Sequence, residues 1–206
     1  MSILSQMMEK PWATAQGGDV PLGDSEGLSM PMEKVGLLVF LSAITVLFTL
    51  LVIAYGGRME LGSDWRPLPD PWLLWPNTAL LILSSVALQW ARVCARRGQI
   101  GSAGVRLNIA GGLAFAFLAG QLLASYQLIG LGYFAASNPA NAFFYLLTGL
   151  HGLHLFGGLV AWSRTSARIR LGVDAAKVAL GIELCAIYWH FLLVVWCIIF
   201  ILMLGT

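Results

Sequence analysis

Charge is what this sequence has least of. Only 11% of its 206 residues are Asp, Glu, Lys or Arg, while 58% are hydrophobic; a soluble domain carries about 25% charged residues. A surface facing water all round cannot be built from this composition, so the chain is an integral membrane protein. Its net charge of +2 is too small to suggest a nucleic-acid partner, and the basic residues are not spread along any one face. Cysteine is scarce too. Cys94, Cys185 and Cys197 form no CxxC pair and no Cys/His cluster of the kind zinc sites show. They read as small buried hydrophobes and define no redox compartment. A secretory signal is also missing, because the first 32 residues hold Glu9, Lys10, Asp19, Asp24 and Glu26 among Gly17, Gly18, Pro21 and Gly23, with no apolar stretch before a cleavage site. The expectation is a polar, flexible cytoplasmic tail over 1–32 and one membrane domain over 33–206.

What is present in quantity is apolar sequence. Five stretches, at about residues 35–55, 72–94, 107–133, 142–162 and 178–204, reach the ~20 residues that a helix needs to cross the hydrocarbon core. The short alternating strands of a closed barrel are absent. The fold class is therefore an all-α bundle of five transmembrane helices. Arg92, Arg96, Arg97 and Arg106 lie between the second and third stretches, and Arg164, Arg168, Arg170 and Lys177 between the fourth and fifth. Cytoplasmic loops collect Lys and Arg, which puts the N-terminus in the cytoplasm and the C-terminus outside, as an odd number of spans requires. The first outer link carries Pro67, Pro69, Pro71 and Pro76 with Trp65, Trp72 and Trp75. It is expected to be a stiff, extended cap with an interfacial aromatic belt.

Few residues remain that could carry chemistry. Of ten acidic side chains, only Glu183 falls inside an apolar run. It could serve a proton, a lipid headgroup or a basic partner, or it could be an interfacial carboxylate reaching water. His190 follows seven residues later, on the same helix face and about two turns away, too far to touch it directly. Two of the three histidines, His151 and His154, sit in LTGLHGLHLFGGLVAWS, on adjacent turns and close enough to meet one partner. A metal or haem site would need further ligands. The commoner reading starts from Thr148, Gly149, Gly152, Gly157 and Gly158, small residues that let a neighbouring helix approach. In that seam the histidines are packing polars.

Four motifs, in order over about residues 36–204, resemble the cytochrome c oxidase subunit III family. FFYLLTGLHGLHLFGG is similar to the family's TGxHGxHxxxG, YWHFLLVVW to its YWHFxDVVW, and WPNTALLILSS to its NTxxLLxSS; Glu183 stands five residues before Tyr188, as the family's last-helix glutamate does. The resemblance implies a bundle that packs on the catalytic subunit I of a haem–copper oxidase in the bacterial inner membrane, beside other oxidase subunits. It implies no catalytic, cofactor-binding or metal-binding residue in this chain: the haems and copper belong to partner subunits, and phospholipids sit between the helices. Structural or lipid-contact roles are implied for His151, His154, Glu183 and His190, beside Thr148, Gly149 and Gly152. The histidine inventory agrees, since three histidines cannot supply ligands for two haems and a copper.

The departures matter as much. Ile44, Ala124 and Leu193 stand where the family carries intramembrane carboxylates. Charged groups in lipid are expensive and kept for function, so their loss argues against direct proton handling and for a scaffold. The same losses leave a third subunit of a quinol oxidase, or an accessory subunit of a nitric oxide reductase, as alternatives. A free-standing haem-binding or transport protein is the rival from another class.

Overall fold

The computed structural model describes residues 31–66 and 72–205. The tail over 1–30 and most of the proline-dense cap, 67–71, lie outside the described residues. Five long helices account for nearly all of the rest: α1 (Met32–Leu61), α2 (Leu74–Arg96), α3 (Ile100–Gly130), α4 (Pro139–Arg170) and α5 (Ala175–Leu204). Each is long and apolar enough to cross a membrane, and the described residues contain no strand. The chain is a multi-pass membrane protein.

Several helices outrun their apolar stretches. α3 begins at Ile100, seven residues before the expected span, and α4 continues to Arg170, eight residues beyond it. Arg106, Arg164 and Arg168 are therefore carried on helices rather than in links. At 31 and 32 residues these helices are about 46–48 Å long, well over the ~30 Å hydrocarbon core. Hydropathy marks where lipid ends; backbone hydrogen bonding carries the helix further.

Three turns end the helices in the same way. Gly98, Gly132 and Gly172 adopt φ of 75°, 88° and 66°, the left-handed conformation that glycine enters without steric cost. At each, the glycine N–H and the next residue's N–H turn back to carbonyls of the last helical turn, as in Gly172 to Ile169 and Val173 to Arg168. This caps otherwise orphaned carbonyls. The entry to α4 uses the complementary device: the Asn138 side chain accepts from the Ala140 N–H, and Pro139 occupies the first turn.

The core lies among α2, α3, α4 and α5, with α5 at its centre, where Ile182, Trp189, Leu192, Trp196 and Ile199 are almost wholly enclosed. α1 differs. Among the described residues, none of its Cα atoms comes within 8 Å of another helix. It meets the bundle through long side chains on one stripe, Leu41, Ile44, Phe48 and Tyr55. Phe40 stacks on Tyr188 at 6.2 Å and Phe48 meets the His154 ring at 5.6 Å. Tyr55 packs on Trp65 at 4.9 Å and on Phe143 at 5.5 Å.

Candidate functional site

The paired histidines, His151 and His154, do not converge. His151 is wholly buried, between Phe117 at 5.9 Å and Trp196 at 5.1 Å, and neither ring nitrogen has a hydrogen-bond partner among the described residues. His154 turns its Nδ1 to the Leu150 carbonyl of its own helix, 2.7 Å away. His190 does the same toward Ala186. Among the described residues no three His, Cys, Asp or Glu side chains come together in a way that could hold a metal.

Glu183 is where the charges meet. Its Oε1 accepts from Lys34 Nζ at 3.2 Å, Arg92 Nη2 at 2.9 Å and Arg96 Nη2 at 3.1 Å. Lys34 comes from α1 and the two arginines from the last turns of α2, so one carboxylate gathers three elements at the basic end of the bundle. Of the alternatives open for Glu183, this is the basic partner. No bond joins it to His190. The positions that depart from the family pattern are apolar in fact as well as in sequence, with Ile44 and Ala124 buried and Leu193 half-buried.

The glycines of α4 do not share one role within the chain. A Cβ on Gly158 would lie 2.8 Å from the Tyr188 ring and 3.0 Å from that of Trp189, so α4 and α5 do meet over it. Gly149 and Gly157 face nothing within 4 Å, and Gly152 meets only Leu118 at 3.7 Å. Tighter seats than that of Gly158 lie on α3. A Cβ on Gly111 would be 2.2 Å from the Trp162 indole, and one on Gly120 would be 2.2 Å from Asn77 Oδ1. The signal was present in the seven-residue recurrence of Gly104 and Gly111, beside Ala103 and Ala110, along α3. Thr148 bonds within its own helix, to the Phe144 carbonyl.

Most of the polar side chains that tie helices together sit in the NTALLILSS and YWHFLLVVW segments. Asn77 Nδ2 donates to Gln121 Oε1 of α3 at 3.1 Å. Trp196 Nε1 donates to Thr78 Oγ1, and Trp189 Nε1 to Ser84 Oγ, both at 3.0 Å. Ser84 passes its own proton to the Ala110 carbonyl at 2.7 Å. Tyr188 donates to the His154 carbonyl of α4 at 2.8 Å, and Trp162 Nε1 to the Leu107 carbonyl of α3 at 2.7 Å. The NTALLILSS and YWHFLLVVW segments are thus the two halves of one clamp: hydroxyls and an amide on α2 receive, or are received by, groups on α3 and α5. Lipid tails are as apolar as leucine, so packing and such bonds hold membrane helices together.

Cavities lie between helices. One of about 420 Å³ separates α1 from α4 and α5, with Phe40, Gly157 and Tyr188 in its wall and Arg164 and Arg168 at the basic end. A second, about 240 Å³ and almost wholly apolar, continues between α1 and α5 along Phe48, Val52, Phe191 and Ile198. A third, about 360 Å³, lies between α3 and α4 beside Gln121 and Gly149.

A family model described as "Cytochrome c oxidase subunit III" matches residues 22–205. A "Probable cytochrome c oxidase subunit 3" of Mycobacterium tuberculosis is 31% identical over 173 residues, 82% of this chain and 85% of the relative. A "Cytochrome c oxidase subunit 3" of Thermostichus vulcanus is 33% identical over 172 residues, 82% of this chain and 84% of the relative. The plant protein of the same name from Glycine max is 31% identical over 148 residues, 69% of this chain and 55% of its own length.

Proposed function

The chain belongs to the cytochrome c oxidase subunit III family, and on that premise we propose that it is a non-catalytic, stabilising subunit of a haem–copper respiratory oxidase. It packs on the catalytic subunit in a bacterial inner membrane, with its arginine-rich end in the cytoplasm and the haems and copper held by its partners. One observation carries this reading. The chemistry-capable side chains are spent on structure: His151 on aromatic packing, Glu183 on three cations, and the motif hydroxyls and indoles on interhelical bonds. Space remains between helices, including two cavities between α1 and its neighbours. The larger cavity, greasy along Phe40 and Tyr188 with two arginines at one end, suits a phospholipid whose phosphate lies at the cytoplasmic interface.

The test is purification from native membranes in mild detergent, with and without the gene for this chain. The expected preparation contains the chain beside a large histidine-rich oxidase subunit and retains phospholipid. Without it, the haem spectrum is unchanged, while activity decays faster during turnover. A changed haem spectrum would overturn the scaffold role. Co-purification with a nitric oxide reductase core instead would reassign the chain to that accessory function.

A further inference from the structure

Gly149 and Gly152 fall in the middle of α4, where glycine is the poorest ordinary helix former, and nothing among the described residues requires them. Apart from its chain neighbours and the backbone of its own helix, no described atom lies within 4 Å of a Cβ at Gly149, and only a leucine methyl approaches one at Gly152. They form the floor of the cavity between α3 and α4, whose other wall carries Gln121 and Ser125, with Leu122 and Phe156 on its rims. Gln121 is 94% buried by its 6% exposure. Its side-chain carbonyl oxygen is taken by Asn77 of α2, and its Nε2 is buried with no partner among the described residues. Because the amide is planar, an oxygen turned toward α2 turns the NH2 away from it.

The depth of this donor matters. Gln121 stands six residues from the middle of α3, about 9 Å along the axis and inside the ~15 Å half-thickness of the hydrocarbon. Neither water nor a lipid ester at the membrane surface supplies an acceptor there. Ser125 and Thr148, also in the groove wall, give their protons to the Gln121 and Phe144 carbonyls, leaving hydroxyl lone pairs free. The wall of the groove therefore holds one buried amide donor and two hydroxyls beside a glycine floor.

We propose that this groove is the docking site for a transmembrane helix of another subunit, which crosses α4 over Gly149 and Gly152 and places a carboxamide or hydroxyl side chain against Gln121. Glycines admit a second helix backbone to close range, and polar side chains bridge helices where no water competes. A carboxamide answers all the groups present, accepting from Gln121 Nε2 and donating to Thr148 or Ser125. A lipid chain would fill the volume but leave the amide unanswered. The proposal rests on the chain being an oxidase subunit and adds which of its faces meets a partner.

The test uses the intact complex. Gly149→Leu fills open space in the chain itself, so at equal membrane levels it is expected to lower the amount recovered with the catalytic subunit by about tenfold or more, the loss that ~1.4 kcal/mol of binding represents. Gly112→Leu, also facing open space but outside the groove, is expected to leave recovery unchanged. In the otherwise wild-type chain, a photo-crosslinking residue at Leu122, 72% exposed on the rim, is expected to join a transmembrane segment of another subunit. Wild-type recovery of Gly149→Leu, or crosslinks confined to lipid or to a second copy of this chain, would overturn the proposal while leaving the oxidase assignment intact. A wild-type chain that accompanies no oxidase subunit would remove both.

Discussion

Replacing Gly120 with alanine adds one methyl group at a place where the structure leaves no room for it. The new Cβ would stand 2.2 Å from Asn77 Oδ1 and 2.9 Å from its Cγ, and Asn77 is 98% buried by its 2% exposure. An asparagine side chain is short, so relief comes only by turning it away and breaking its bond to Gln121. Interhelical bonds in membrane proteins average about 0.6 kcal/mol and reach about 1.7, and a buried polar group left unsatisfied costs about 1–3 kcal/mol more. Against this, alanine improves on glycine in a helix interior by up to about 1 kcal/mol. The expected net loss is about 1–3 kcal/mol. Gly112→Ala on the same helix meets nothing and should show only the gain. Unfolding of the purified chain by sodium dodecyl sulfate in mixed micelles, followed by tryptophan fluorescence, compares the two directly. Adding Asn77→Ala to Gly120→Ala should return part of the loss, because the clash goes while Gln121 stays unpaired. If Gly120→Ala were as stable as Gly112→Ala, the seat of α2 on α3 would not be where the structure puts it.

The buried imidazole gives a second contrast: His151→Ala leaves a hole between Phe117 and Trp196 and should cost about 2–4 kcal/mol, whereas His151→Leu, which loses no hydrogen bond, should cost under about 1.5 kcal/mol. Neither should alter the haem spectrum of the complex; unfolding midpoints and optical spectra check both, and equal destabilisation by the two would point to a polar role for the ring. Glu183→Gln leaves Lys34, Arg92 and Arg96 facing one another, so amide exchange in the first turns of α1 should quicken by about tenfold, less at high salt because the site is part-exposed. Unchanged exchange there would mean that α1 is held by its aromatic contacts alone. Ser84→Ala strands the Trp189 indole N–H in the core and should destabilise the chain by about 1–3 kcal/mol, more than the exposed Ser163→Ala, in the same unfolding assay.

The clamp residues show why recognition of a motif is not yet an account of it. NTALLILSS and YWHFLLVVW are conspicuous as strings, yet Asn77, Thr78 and Ser84 acquire roles only when Gln121, Trp196 and Trp189 come opposite them, up to 118 positions away in the chain for Thr78 and Trp196. LTGLHGLHLFGG was legible only in part. Its glycines read as a surface that lets a neighbouring helix approach, but the string does not say which helix: rotation sends Gly158 toward α5 while Gly149 and Gly152 open into the groove with Gln121. Glu183 was legible as an exceptional residue, because a carboxylate amid apolar neighbours is costly wherever the helix turns. Its three cations were not, since Lys34 and Arg96 lie 149 and 87 positions away.

The number of helices and the basic bias of the links between them were determined by the sequence alone. These follow from transfer of side chains between water and lipid, a property summed residue by residue with no knowledge of neighbours. The three helix-ending glycines belong with them, because a left-handed cap is a local conformational matter. The tertiary structure alone decided which face of each helix meets which partner, that α1 stands off behind its long side chains, and that one glutamine keeps an unanswered amide. In lipid every helix face is nearly equally soluble, so hydropathy carries little rotational signal; close packing and paired hydrogen bonds, which exist only between distant segments, make that choice.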